Sequence, residues 1–269
     1  MNRAEINGTT INYRLEGPED GEVVMFSHSL ASTMSMWEDQ IGPLAGSGFR
    51  ILRYDSRGHG LSDVPPGPYS VEMLAADAIS LLDALGIEKV HFCGLSMGGM
   101  VGQLLGANFH DRISSLILSS TSAHMPPPHL WNERIDSVRK GGMQAVADAT
   151  IDRWFTGIGK NKVPEKVKRV KDLIMGTSPE GFCACSEAIR DMDLRGILAG
   201  IKVPTLLIVG SLDPGTPVSA AQFIHERVPS SRLEVIEDAA HFVNVERYQE
   251  FNELLLDFLK ESETSQGEH

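Results

Sequence analysis

The chain has 269 residues, 42% of them hydrophobic and 22% charged, a balance ordinary for a soluble globular enzyme. That length holds one large α/β domain with a sizeable core and an inserted subdomain. A net charge of −12 argues against nucleic acid or an anionic membrane surface as a partner, so any anionic ligand must be caught by a local cation. The cysteines are Cys93, Cys183 and Cys185, a sparse and odd set that points to a reducing compartment without a disulfide framework. Cys183-Ala184-Cys185 has no second Cys or His pair nearby, so no zinc site is expected. Cys93 reads as a small core hydrophobe. Met1 to Glu5 offers no apolar stretch of signal-peptide length, and no segment is long enough to span a bilayer. The expectation is a cytoplasmic protein.

In chain order, residues 2–15 read as a β-hairpin turned at Asn7-Gly8. Val23–Phe26 and Phe49–Tyr54 are apolar runs of strand length. Leu74, Ala78, Leu81, Leu82 and Leu85 recur at helical spacing and Gly86 stops the helix. Lys89–Cys93 reads as a short buried strand, Met97–Phe109 as a helix, and Ile113–Leu118 as a further strand. The pattern then breaks, because residues 123–197 carry Met125-Pro126-Pro127-Pro128 and several helices but no convincing strand. Val203–Val209 resumes the strands, with Pro204 at its start. A helix over 217–228, a strand over Leu233–Ile236 and a last helix follow. That helix buries Tyr248, Phe251, Leu254, Leu255, Phe258 and Leu259, and the polar residues from Glu261 to His269 are expected to fray. Strands alternating with helices imply an α/β fold, a mostly parallel twisted sheet with helices on both faces. The strand-free block is too long for a loop and reads as an inserted helical cap. The expected division is 1–122 and 198–269 for the core and 123–197 for the cap.

Gly94-Leu95-Ser96-Met97-Gly98 lies between the predicted strand and helix. It fits Gly-x-Ser-x-Gly, which sets a serine on a sharp strand-to-helix turn. The flanking glycines suit places where a side chain would strike neighbouring backbone. Gly98, Gly99, Gly102 and Gly106 crowd one helix at a cost in helix propensity, which close packing on the sheet would offset. A serine hydroxyl needs a base, and the base an orienting acid. Asp213 and His241 each follow a predicted strand, in the chain order Ser, Asp, His. Glu237 and Asp238 are rival acids, too close to His241 in sequence for that role. Asp238 reads as shaping the histidine loop. The expected roles are Ser96 as nucleophile, His241 as base and then acid, and Asp213 as orienter. The backbone N–H groups of Met97 and of Leu30, within Ser27-His28-Ser29-Leu30, would form the oxyanion hole.

With these residues assembled, the chain resembles the α/β-hydrolases over essentially its whole length. Tyr54-Asp55-Ser56-Arg57-Gly58-His59-Gly60-Leu61-Ser62 is similar to the family's D-x-R-G-x-G-x-S segment, in which Asp55 and Arg57 read as structural. More narrowly it resembles the 3-oxoadipate enol-lactonases. The matching pieces are Ser29-Leu30, Met36-Trp37, residues 94–100, the cap segment from Gly142-Met143 through Arg153-Trp154-Phe155, and Asp213-Pro214-Gly215-Thr216-Pro217. His28 departs from that group, which often has Asn there. The resemblance implies hydrolysis of a small carboxylated enol-lactone through an acyl-enzyme, in aromatic-acid catabolism, with no metal or organic cofactor. The substrate carboxylate then calls for a cation, with Arg134 and Arg153 as candidates, while Trp131 and Trp154 would floor the pocket. A broader carboxylesterase or thioesterase would use the same residues. A ligand sensor on this fold would dispense with the serine, and a haloalkane dehalogenase would need a carboxylate in place of Ser96.

Overall fold

The computed structural model describes residues 2–266, with side chains described through Ser262. Strands β1 (Asn2–Ile6) and β2 (Thr9–Glu16) form the expected hairpin. Its turn residues Asn7 and Gly8 have φ of 44° and 70°, the left-handed pair of a tight turn whose twist matches its strands. β3 (Val23–Ser27), α1 (Glu38–Gly46), β4 (Arg50–Tyr54), α2 (Val71–Ala84), β5 (Val90–Leu95), α3 (Met97–Asn108) and β6 (Ile113–Ser119) follow. Five helices come next: α4 (Pro128–Gly141), α5 (Gln144–Trp154), α6 (Gly157–Lys162), α7 (Pro164–Met175) and α8 (Pro179–Asp191). The chain then closes with β7 (Thr205–Gly210), α9 (Val218–His225), β8 (Ser231–Ile236), α10 (Val243–Glu246) and α11 (Tyr248–Gln266). The last helix therefore continues past Glu261, where fraying was expected, and residues 267–269 lie outside the described residues.

One eight-stranded sheet has the order β1-β2-β4-β3-β5-β6-β7-β8, antiparallel at β1, β2 and β4 and parallel from β4 onward. The crossover from β3 to β4 runs one way along the sheet and that from β4 to β5 the other. Right-handed crossovers then put α1 and α2 on opposite faces, and α1 packs with α11 while α2 packs with α3. β5 and β7 are buried along their whole lengths, as strands covered on both faces must be.

Helix α1 has no clear sequence signature, because Gly42 and Pro43 lie inside it. Pro43 cannot donate to the carbonyl of Asp39 one turn earlier. Asn252 of α11 supplies the missing donor, its side-chain amide reaching that carbonyl at 2.8 Å. Helices α4 to α8 leave and rejoin the sheet at one place. Leu194 N–H donates to the Ala123 carbonyl at 2.8 Å, and His124 bridges Asp193 beside it.

Candidate active site

Ser96 sits between the end of β5 and the first residue of α3, with φ 56° and ψ −110°. A side chain at this φ is strained, so its surroundings must hold it. Ser96 N–H donates to the Ser119 carbonyl at 2.9 Å, and the Thr121 hydroxyl donates to the Ser96 carbonyl at 2.8 Å. The turn closes only because its glycines are bare: a Cβ on Gly98 would lie 2.2 Å from the Ser27 carbonyl oxygen. Further along α3, a Cβ on Gly102 or Gly106 would strike Leu118 or Leu116 of β6, which accounts for the run of glycines. Gly98→Ala is expected to destabilise the fold by about 3 kcal/mol, since backbone cannot yield as a flexible side chain does. Urea denaturation measures it, and a midpoint equal to wild type would contradict the close approach.

Asp213 stands just beyond β7 and His241 just beyond β8. Asp213 Oδ2 lies 2.8 Å from His241 Nδ1 and accepts from the Thr216 hydroxyl at 2.7 Å. Its Oδ1 accepts the N–H groups of Gly215 and Thr216 at 2.8 and 3.0 Å. Burial pushes this carboxyl's pKa up, but the His241 charge and the His241 and Thr216 hydrogen bonds outweigh it, so the net shift is downward. Glu237 and Asp238 are exposed, and neither bonds to His241 among the described residues. Asp238 has φ 53° and donates its N–H to the Ser211 hydroxyl, holding the turn before the histidine. Thr216 was not singled out from sequence for this contact. The signal was there, in a hydroxyl three residues after an acid in a Pro-Gly turn.

The loop after β3 shows which backbone donor is left over. Ser29 N–H meets Met36 Sδ at 3.4 Å and Ala31 N–H meets His59 Nε2 at 3.1 Å. Leu30 N–H, between them, donates to no group among the described residues. Met97 N–H opens α3 and has no intrahelical acceptor. Two buried histidines shape this loop, their rings 5.1 Å apart. His28 Nε2 accepts from Ser56 N–H at 2.9 Å, which places its proton on Nδ1, facing the Ser29 carbonyl at 2.8 Å. Burial lowers the pKa of His28 against the pull of Asp55, and burial and then His28 push His59 down to about 3. Both rings are neutral and serve as acceptors for backbone N–H groups.

A pH dependence follows. An unfolded histidine takes up its proton near 6.5, whereas folded His59 does so only near 3. Between those values the unfolded state binds more protons, so stability rises with pH across the window and is lost on acidification. Urea midpoints measured from pH 4.5 to 7 should climb, and His59→Gln, which keeps an acceptor but does not titrate, should flatten the climb. An unchanged slope in that variant would remove His59 as the cause.

Ser96, Asp213, His241 and Leu30 line one cavity, and so do Trp131, Arg134, Arg153 and Trp154 of the cap. Met97 is wholly buried beneath it. Ser96 and His241 meet by sharing this cavity rather than through a hydrogen bond, a separation common before substrate draws such groups together. Met100, Met125 and Ile189 add apolar wall that sequence reasoning did not pick out, since their spacing is that of ordinary core. The space is tight: the centre of a water molecule ranges over only about 70 Å³. Trp154 stacks on Phe242 at 3.9 Å and lies 6.2 Å from His241, while Trp131 donates its indole N–H to the Met125 carbonyl. Asp55 and Arg57 fall outside the cavity. Asp55 accepts from Met34, Leu61 and Asn12, and Arg57 forms a buried ion pair with Asp77.

The two arginines give the cavity its charge. Arg134 lies over the Trp131 and Phe182 rings, 5.2 and 5.4 Å from their centroids. Its Nε is buried without a partner, and no carboxylate pairs with it among the described residues. Burial and then Arg153 push its pKa down to about 9. Burial also lowers Arg153 against the pull of Asp152, and its guanidinium donates to the Thr150 hydroxyl at 3.1 Å. Two partly desolvated cations, Arg134 with no carboxylate partner among the described residues, make a wall complementary to a carboxylate.

Comparison with known proteins gives the chain's family and its structural relatives. Residues 22–151 match the family model described as the alpha/beta hydrolase fold. The 3-oxoadipate enol-lactonase 2 of Acinetobacter baylyi is 39% identical over 242 residues, covering 90% of each chain. The crystal structure of an enol-lactonase from Burkholderia xenovorans superposes with a TM-score of 0.94 at 38% identity, over 96% of this chain and 100% of that one. A thermophilic esterase from Thermogutta terrifontis, solved with malate bound, superposes with a TM-score of 0.91 at 27% identity, over 97% of this chain and 99% of that one.

Proposed function

The chain belongs to the α/β-hydrolase family and is a hydrolase of lactones or esters, and from that premise we propose that it opens a small enol-lactone bearing a carboxylate, 3-oxoadipate enol-lactone, to 3-oxoadipate. The observation that carries this reading is that Arg134, whose Nε is buried without a partner, and Arg153 line the same tight cavity as Ser96 and His241. A neutral ester would leave Arg134 unmatched, whereas a carboxylated ring offers it an anion. Likeness to the Acinetobacter 3-oxoadipate enol-lactonase supports this substrate, and likeness to the Burkholderia enol-lactonase supports the lactone class.

The chemistry follows from the hydrogen bonds. Asp213 holds the Nδ1 proton of His241, which leaves Nε2 free to accept. Ser96 Oγ attacks the lactone carbonyl as His241 Nε2 takes the hydroxyl proton. The oxyanion forms between the Leu30 and Met97 N–H groups. The ring C–O bond then breaks and the enolate oxygen leaves with the proton from His241. The acyl-enzyme carries an enol that ketonises to the 3-oxo acid. His241 next draws a proton from water, whose oxygen attacks the acyl carbon and frees Ser96.

Turnover of the enol-lactone beside p-nitrophenyl acetate tests the reading. Arg134→Met is expected to raise KM for the lactone about 10- to 100-fold, the worth of a charged hydrogen bond, and to leave KM for the neutral acetate within a factor of about 3. Equal effects on both substrates would remove Arg134 from carboxylate recognition. A wild-type enzyme fast on the acetate and slow on the lactone would instead favour a broader carboxylesterase, the reading that likeness to the Thermogutta esterase supports.

A further inference from the structure

Glu246, at the end of α10, is 5% exposed, and among the described residues no Lys or Arg pairs with it. Its two oxygens hold donors from two different parts of the molecule. Oε2 accepts the N–H of Ala240, the residue before His241, at 2.8 Å. Oε1 accepts the N–H and the hydroxyl of Thr156, in the cap, at 2.9 and 2.5 Å. The Thr156 hydroxyl in turn accepts Gly159 N–H at 2.8 Å, so its own proton is committed to Glu246. Gly159 is held to the carboxylate so closely that a Cβ there would sit 1.7 Å from Oε1.

The segments so joined are those that build the cavity. Thr156 follows Arg153 and Trp154, which line it, and Ala240 precedes His241. A second tie runs alongside, where Phe242 N–H donates to the Trp154 carbonyl at 3.0 Å beneath the Trp154–Phe242 stack. A buried carboxylate without a cation is expensive, and a neutral tie would stabilise the fold as well or better. Three converging donors require an acceptor at every contact, which a carboxylate supplies and an amide does not.

Resting on the proposed roles of Ser96 and His241, we infer that Glu246 is a positioning residue: its carboxylate seats the histidine loop and the cap segment carrying Arg153 and Trp154 against one another. The base and the substrate-binding wall are thereby set by one group. Glu246→Gln keeps the size and replaces one acceptor oxygen by an NH2 group, which must face either Ala240 N–H or the Thr156 donors. The loop and the cap segment then separate.

The test follows inactivation by a small neutral p-nitrophenyl alkylphosphonate, which uses Ser96, His241 and the oxyanion donors but needs no carboxylate site, together with kcat and KM for the lactone. In Glu246→Gln the inactivation rate and kcat are both expected to fall about 10- to 100-fold, as for a misplacement near 1 Å, with KM for the lactone raised as well. Gly159→Ala, which pushes on the same carboxylate from the cap side, should move all three the same way and serves as the test if Glu246→Gln does not fold. A variant with a lowered Tm but wild-type inactivation rate, kcat and KM would overturn the inference and leave Glu246 a stabilising residue only. Wild-type enzyme that reacts with the phosphonate but does not open the lactone would remove the substrate reading alone.

Discussion

Ser96→Ala is expected to lower kcat by roughly four to six orders of magnitude while leaving KM nearly unchanged. His241→Ala should do about the same. The double variant should be hardly worse than either, because nucleophile and base act as one unit. On the proposed mechanism, what would remain is stabilisation of the oxyanion by the Leu30 and Met97 N–H groups with binding in the cavity, worth roughly 10³- to 10⁴-fold over water. The comparison needs steady-state kinetics with enzyme free of wild-type contamination. More than a tenth of wild-type turnover in either single variant would refute the assignment. Stability should separate from activity at this position. Alanine inherits the strained φ of 56°, but glycine does not. Ser96→Gly should therefore be as inactive as Ser96→Ala and more stable than wild type by about 1 kcal/mol. Urea denaturation that finds Ser96→Gly no more stable than Ser96→Ala would show that the turn stores no strain there.

Asp213→Asn carries the second large effect, a fall of roughly 10⁴-fold in kcat with little change in fold. Each oxygen of Asp213 accepts from two groups, Gly215 and Thr216 N–H at Oδ1 and His241 and the Thr216 hydroxyl at Oδ2. An asparagine can supply an acceptor on one side only. With its oxygen toward His241, its NH2 faces two backbone donors that hold the Asp213-Pro214-Gly215-Thr216 turn. With its NH2 toward His241, His241 Nδ1 must accept and the proton moves to Nε2, where it blocks acceptance from Ser96. Either way the carboxylate charge that would stabilise the imidazolium is gone. Because the folded carboxyl titrates below its ordinary range, folded wild type keeps this charge as pH falls through the carboxylate range, and its contribution to stability falls from that range, where the unfolded chain takes up the proton, until it is gone below the folded pKa. Profiles of kcat/KM between pH 5 and 9 for both enzymes measure the loss. An Asn variant within tenfold of wild type would reassign the orienting role.

How much of the site was legible depended on how local each signal is. The Asn7-Gly8 turn, the helix stop at Gly86 and the strand-turn-helix at Ser96 are set by neighbours a few residues away, and all stand where the pattern put them. Helix α1 was not legible, since its Pro43 is tolerated through an amide from Asn252, some two hundred positions later in the chain. Likewise the apolar residues Met100, Met125 and Ile189 carry no mark that separates a pocket wall from core. That distinction depends on which neighbours leave a gap.

Sequence alone determined the alternation of strands and helices, the strained serine turn and the order Ser96, Asp213, His241, because periodicity, glycine placement and strand ends act over short range. Only the tertiary structure decided that Leu30 N–H is left over. Its neighbours are claimed by Met36 and His59, and a leftover donor exists only once every competitor is placed. The same holds for Arg134 and Arg153. In an acidic chain of net charge −12, most cations have carboxylates within reach. It takes the packing of the cap over the sheet to bring these two to the wall of the cavity that holds Ser96, with Arg134 left without a carboxylate partner among the described residues.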